Sequence, residues 1–170
     1  MKNTASERPY MEYTIEKTDF RQDSDEIREL MWTTFLEYEA PLFGKKGTEE
    51  FRTTIFSDSL MQQQTFYCYR EKGRLIGILA TRSEGSHISF LFVRKGYQRS
   101  GIGQALVSRA LEDCERNLMT VNAATPAKGF YEKLGFVRLK EEQDVGGIRF
   151  IPMALKVQSD IITDGEGVQI

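Results

Sequence analysis

HISFLFV, residues 87–93, passes through RKGYQRSG, residues 94–101, into an apolar run that opens with IGQAL at residue 102. In that run Ile102, Leu106, Val107, Ala110, Leu111 and Cys114 recur at helical spacing, which predicts an amphipathic helix from 102 to about 116. LMTVNAA, residues 118–124, then reads as a short strand. A strand, helix, strand crossover normally leaves its two strands parallel and is right-handed. Gly101 and Gly103 therefore stand at a helix N-terminus. There the first backbone N–H groups lack intrahelical partners and the helix dipole is positive, so main chain alone can hold an anion. Neither glycine has a side chain to keep a phosphate away, and Arg99 adds positive charge. A phosphate or diphosphate is the guest that suits such a turn, and a tight turn with no ligand is the simpler alternative.

Two familiar phosphate motifs are excluded. A nucleotide P-loop needs Lys and then Ser or Thr after its second glycine, whereas Gln104 and Ala105 follow Gly103. The dinucleotide fingerprint needs a third glycine where Leu106 stands, and it opens a parallel sheet. Here three strands in antiparallel hairpin order come first: TFYCYR and RLIGILATR around the turn EKG, then HISFLFV after SEGS.

Before them, residues 11–18 (MEYTIEKT) alternate as a strand. Ser24 can cap a helix that carries Ile27, Leu30, Met31, Phe35 and Tyr38 and ends near Pro41. The loop PLFGKKGT leads to a second helix over residues 49–63. After the short strand, Thr125 and Pro126 suit an N-cap and first helical residue, and Gly135 suits the stop of that helix. FVRLKEE and GIRFIPMALKV supply two last strands around DVGG.

The chain has 170 residues, 40% hydrophobic and 28% charged, which fits one globular domain over residues 1–157 with a flexible tail over 158–170. Its net charge of −2 gives no general attraction to nucleic acid. Cys68 and Cys114 form no CxxC pair and are expected to be reduced, structural thiols. No run reaches the roughly 18 apolar residues of a membrane span, and the N-terminus lacks a signal-peptide core, so a soluble cytoplasmic protein with no membrane partner is expected.

LFVRKGYQRSGIGQAL resembles the acyl-coenzyme A motif of the GNAT superfamily of N-acetyltransferases. The pattern is Gln or Arg, two residues, Gly, one residue, then Gly or Ala, and Gln98, Arg99, Ser100, Gly101, Ile102 and Gly103 match it at every constrained place. FYEKLGFV, residues 130–137, resembles the superfamily's second motif, and the order of elements agrees over roughly residues 11–157. The resemblance implies an α/β (α+β) fold: a mixed, mostly antiparallel sheet of six or seven strands, about four flanking helices, and a splayed parallel strand pair as cofactor cleft. It implies acetyl-coenzyme A as cofactor, with the diphosphate on the N–H groups of Arg99 to Gly103. Pantetheine would run beside Leu91, Phe92 and Val93 as an added strand, meeting open N–H and C=O groups. The Val93 position would supply an N–H to the thioester carbonyl, and Asn122 a hydrogen bond to pantetheine.

Tyr131 occupies the family's general-acid position, and a phenol of pKa about 10 suits a thiolate of similar basicity. Several members carry a glutamate base six residues before the Val93 position, where this chain has His87, its only histidine. An imidazole of pKa near 6.5 can take that proton directly or through water, with Glu84 and a water chain as competitors. Acceptor specificity in the superfamily lies in the first two helices and the last hairpin, a region that here holds Trp32, Phe35, Tyr38, Phe43, Glu37 and Glu39. Either glutamate can hold a cationic amine or simply form the wet face of its helix. The reading is direct transfer of an acetyl group to a primary amine, small or peptidic, and pairing as a homodimer is a further expectation from the family. An inactive acyl-coenzyme A-binding module is the alternative, and a phosphotransferase is disfavoured by the missing Lys and Ser/Thr.

Overall fold

A computed structural model of the protein describes residues 12–158, so all but Gln158 of the expected tail lies outside the described residues. Strand β1 (Tyr13–Thr18) precedes helices α1 (Phe20–Tyr38), α2 (Ala40–Ile55) and α3 (Asp58–Met61). A meander of β2 (Thr65–Glu71), β3 (Arg74–Arg82) and β4 (His87–Val93) follows. Helix α4 (Ile102–Glu112) crosses over to β5 (Leu118–Ala123), and a 3₁₀ turn (Thr125–Ala127) leads into α5 (Lys128–Lys133). Strands β6 (Val137–Arg138), β7 (Gln143–Val145) and β8 (Ile148–Lys156) end the described chain.

The eight strands run in the order β1-β2-β3-β4-β5-β8-β6, with β7 paired to β8, and β4 with β5 is the one parallel pair among the described residues. Strand alternation sends side chains to two cores. Phe66 and Cys68 of β2 pack beneath α1 with Ile27, Leu30 and Phe35, while Tyr67 and Tyr69 face α4 with Leu106 and Val107. Burying each such side chain contributes about 1.5–3 kcal/mol, so both faces of the sheet are firmly anchored. Both cysteines are free, and burial pushes the Cys68 thiol up to about 12, as an inert core thiol requires.

The structure departs from the sequence-based boundaries where side chains compete for helix ends. Helix α1 starts earlier than Ser24 because the Asp19 carboxylate accepts from the Arg21 N–H at 3.0 Å, and the backbone kinks at Asp23. Pro41 ends α1 but enters the first turn of α2, where its missing N–H leaves no bond unmade. Most of PLFGKKGT is therefore helical, and the predicted helix over 49–63 is the end of α2 plus α3. Helix α4 stops at Glu112, before the predicted 116. Of FVRLKEE only Val137–Arg138 pairs, and a separate β7 turns through Gly146 and Gly147 into β8. Among the described residues the tally is thus eight strands and five α-helices.

One irregularity positions everything that follows. Along β3 and β4 the pairing steps from Ala80↔Phe90 to Thr81↔Ile88, so Ser89 is an extra residue on β4. A bulge of this kind bends its strand and re-aims the side chains beyond it. The β4–β5 ladder consists of His87↔Thr120 and Ile88↔Val121, and it ends where the bulge begins. Beyond Ile88 the two parallel strands part.

Candidate active site

A cleft of about 960 Å³ opens where β4 leaves β5, between the N-terminus of α4 and helix α5. Leu91 and Val93 form one wall, Phe130 and Lys133 the other, and the loop with Gln98, Arg99, Gly101 and Gly103 forms its end. Gly101 is the N-cap of α4 at φ 86°, ψ 0°, a left-handed conformation costly for any residue with a Cβ. No side chain caps the helix there, so its first N–H groups stay available. Arg99 also has a positive φ of 59°, and two such residues flanking Ser100 curl the backbone into the concave form that binds anions. A Cβ on Gly101 would meet nothing within 4 Å, whereas one on Gly103 would lie 3.1 Å from the Phe130 ring. Gly101 therefore serves the backbone turn, and Gly103 serves the close approach of α4 to α5. A coenzyme A diphosphate fits this donor set: bare amides, an unpaired Arg99 among the described residues, and an unpaired strand edge alongside.

A second cavity of about 450 Å³ lies across β4 from the first, under α2 and the β7–β8 hairpin. Phe43, Phe51, Phe90, Phe92 and Phe150 line it together with Tyr131. Leu91 and Glu39 border both cavities, so the two chambers meet at these side chains. Glu39 sits at the junction of α1 and α2, where its backbone N–H closes α1 on Phe35 O at 2.9 Å and its carbonyl accepts from Leu42 and Phe43. Its carboxylate has no ion pair or hydrogen bond among the described residues, and burial pushes it up to about 7.

Tyr131 is 4% exposed, held edge-on between Phe130 and Phe136 at centroid distances of 5.0 and 5.3 Å. Burial raises its phenol above the ordinary value, and the Glu39 charge adds to that. Two opposite demands meet in one chamber. The carboxyl is poised to exchange a proton near neutral pH, and the phenol keeps its own.

Several sequence candidates stand elsewhere or spend their side chains on other contacts. His87 lines neither chamber: its Nδ1 is 2.8 Å from Thr120 Oγ1 at the closed end of the β4–β5 pair. Burial, with Arg82 second, holds its imidazole down at about 4, so it is a poor proton acceptor for this site. Glu84 is bound to Arg116 Nε at 2.6 Å and Glu37 is paired with Lys95, so neither carboxylate is free. Ser100 turns its hydroxyl to the Tyr97 carbonyl, and Gln98 donates to the Val93 carbonyl at 3.3 Å. Phe92 and Asn122 border the aromatic chamber rather than the cleft beside α4, because they lie on the other side of their strands. Ile102 is buried, its side chain packed in the α4-side core.

Reading the sequence named Glu39 only as a carboxylate able to hold a cationic amine, not as a proton acceptor, and missed Lys133, which borders the cleft. The signal for Glu39 was present only in part. Its acidic type was visible, but its burial depends on a helix junction and a distant hairpin.

The architecture is a mixed sheet parted at one parallel pair, with an uncapped glycine turn at one end of the gap. The family model for the acetyltransferase (GNAT) domain matches residues 39–157, and the chain belongs to that family. Its fold is similar to that of a GCN5-related N-acetyltransferase from Rhodopseudomonas palustris, at 15% identity, TM-score 0.74, covering 88% of this chain and 99% of that one. It is also similar to the PaiA N-acetyltransferase of Thermoplasma acidophilum, solved in complex with coenzyme A, at 17% identity and TM-score 0.70, covering 86% and 99%. An acetyltransferase of the GNAT family from Staphylococcus aureus aligns at 15% identity and TM-score 0.65, covering 86% and 100%. No curated protein matches the sequence. Among the described residues no helix is long and apolar enough to cross a membrane, and no cluster of metal-ligating side chains occurs.

Proposed function

We propose that the protein is an N-acetyltransferase that moves an acetyl group from acetyl-coenzyme A to a primary amine within a ternary complex. The observation that carries this reading is the meeting of the two chambers at Leu91 and Glu39, just past the point where β4 parts from β5. Acetyl-coenzyme A supplies, when bound, a thioester whose C–S bond breaks as the C–N bond of an amide forms.

The chain's own residues divide the remaining work. The N–H groups from Arg99 to Gly103 hold the diphosphate, with Arg99 and Lys133 adding charge. The open edge of β4 at Leu91 and Val93 orients the pantetheine amides, and the Val93 N–H is the donor toward the thioester carbonyl. Glu39 takes a proton from the acceptor ammonium. A carboxyl that titrates at about 7 accepts that proton at neutral pH far better than one in the ordinary range, because its conjugate acid is weaker. Tyr131 Oη is the hydrogen-bond donor toward a departing thiolate, and its raised pKa keeps it protonated throughout the working range while making it a weaker acid than an ordinary phenol.

Mixing the protein with acetyl-coenzyme A and a panel of primary amines while following free thiol tests the proposal. Amine-dependent thiol release is expected. Saturable coenzyme A binding with no release across the panel would instead identify a binding module without turnover.

A further inference from the structure

We infer, resting on the transferase reading above, that the acceptor is a small primary amine on an aromatic or similarly bulky apolar body, inserted amine-first into the 450 Å³ chamber. The chamber wall is a continuous set of rings. Phe51 stacks on Phe35 at 3.9 Å behind it and meets Phe90 and Phe92 edge-on at 6.2 and 5.8 Å. Phe43, Phe90 and Phe150 line the cavity and are only half-buried. Exposed aromatic surface grouped in one concave site is what an apolar body covers favourably, and ring edges presented to ring faces favour a further ring.

Beside Glu39 and Tyr131, the polar side chains of the lining are Glu50, Thr54, Arg82, Ser89, Asn122 and Arg149, and of all these only Glu39 also borders the cofactor cleft. Glu39, at the end that joins the cofactor cleft, is a carboxylate with no cation partner among the described residues, which matches an ammonium group. Arg149 is engaged, donating from Nη2 to the Leu42 carbonyl at 3.0 Å and lying 3.9 Å from Glu142. A polyhydroxylated amine would lay part of its hydroxyls against these phenylalanine rings, at a cost in affinity.

The acceptor's size follows from how the walls join. Helix α2 and the β7–β8 turn touch backbone to backbone, so that a Cβ on Gly47 would stand 2.7 Å from the Gly147 carbonyl oxygen. Together with the Arg149–Leu42 bond, this ties the β7–β8 hairpin to helix α2, and an extended peptide laid between them would have to part that contact. A short amine entering end-on needs no such groove.

The test measures binding and transfer separately. Calorimetry of phenethylamine against the protein saturated with coenzyme A reads binding alone. Thiol release with acetyl-coenzyme A compares phenethylamine with spermidine, glucosamine and a peptide amine. The expected result is saturable binding and a kcat/KM for phenethylamine at least about tenfold above each of the others. Phe150→Ala and, independently, Phe43→Ala should each raise the phenethylamine Kd about tenfold while leaving the coenzyme A Kd within about twofold. Phenethylamine binding without thiol release supports the acceptor class and overturns the transferase reading. Absence of phenethylamine binding, or faster transfer to spermidine, glucosamine or peptide, overturns the acceptor class, and the faster transfer would leave the transferase reading intact.

Discussion

Glu39 and Tyr131 border the same aromatic chamber, where burial, with the Glu39 charge second, raises the pKa of the Tyr131 phenol. The pairing separates two proton-handling groups by environment, one half-charged near neutrality and one kept neutral. Such a divergence of pKa values within one cavity is the usual mark of an acid and a base with distinct tasks.

Removing the phenol alone tests the acid. Tyr131→Phe preserves the ring that packs between Phe130 and Phe136, so the fold should stay intact. Turnover should fall about 10²-fold or more, with the coenzyme A Kd unchanged within about twofold. Steady-state kinetics beside a calorimetric titration would check both values, and unaltered turnover would remove Tyr131 from the mechanism.

Glu39→Gln tests the base through the pH profile. The wild-type carboxyl must be deprotonated to act, so kcat/KM should rise as pH increases through about 7. In the variant that acidic limb should vanish and the plateau should drop about 10²-fold. His87→Gln should keep the limb and most of the activity, since its imidazole sits on Thr120 outside both chambers. A profile that loses its limb in the His87 variant and not in the Glu39 variant would reverse the assignment.

The same carboxyl has a consequence for stability. Folding moves Glu39 from the ordinary 4.5 to about 7, so between those values the folded state holds the extra proton. Stability should therefore decline as pH rises through this window and level off above it. Glu39→Gln relieves the cost, and urea unfolding should find it up to about 3 kcal/mol more stable than wild type at about pH 8. The difference should shrink toward zero near pH 4, below both values. Equal stability at the higher pH would mean that Glu39 is hydrated rather than desolvated.

The glycine turn proposed as the anion seat was legible in the sequence because its signal is local. Gly101, Gly103 and Arg99 lie within five residues, and a strand followed by helical spacing places them at a helix mouth. The candidacy of Tyr131, which lines the second cavity, was legible through the motif around it. The bulge at Ser89 was not, because nothing in HISFLFV distinguishes an extra residue from a paired one until its neighbour on β3 is known. Glu39 was visible only as one of several acidic residues on a helix. Its burial arises from Pro41 turning α1 directly into α2 and from Gly147 docking on Gly47, about a hundred residues away. His87 misled because its position in the motif matches a base, while its ring turns to the adjoining strand.

The most direct measurement is a calorimetric titration of coenzyme A into the wild-type protein and into Gly101→Leu. At φ 86° a leucine is strained, and its side chain would project where a Cβ meets open space at the mouth of α4. The expected result is saturable binding of one coenzyme A per chain in the wild type, weakened at least about tenfold in the variant while its circular dichroism stays native. Equal affinity in both proteins, or no binding to the wild type, would contradict the placement of the cofactor in the cleft between β4 and β5.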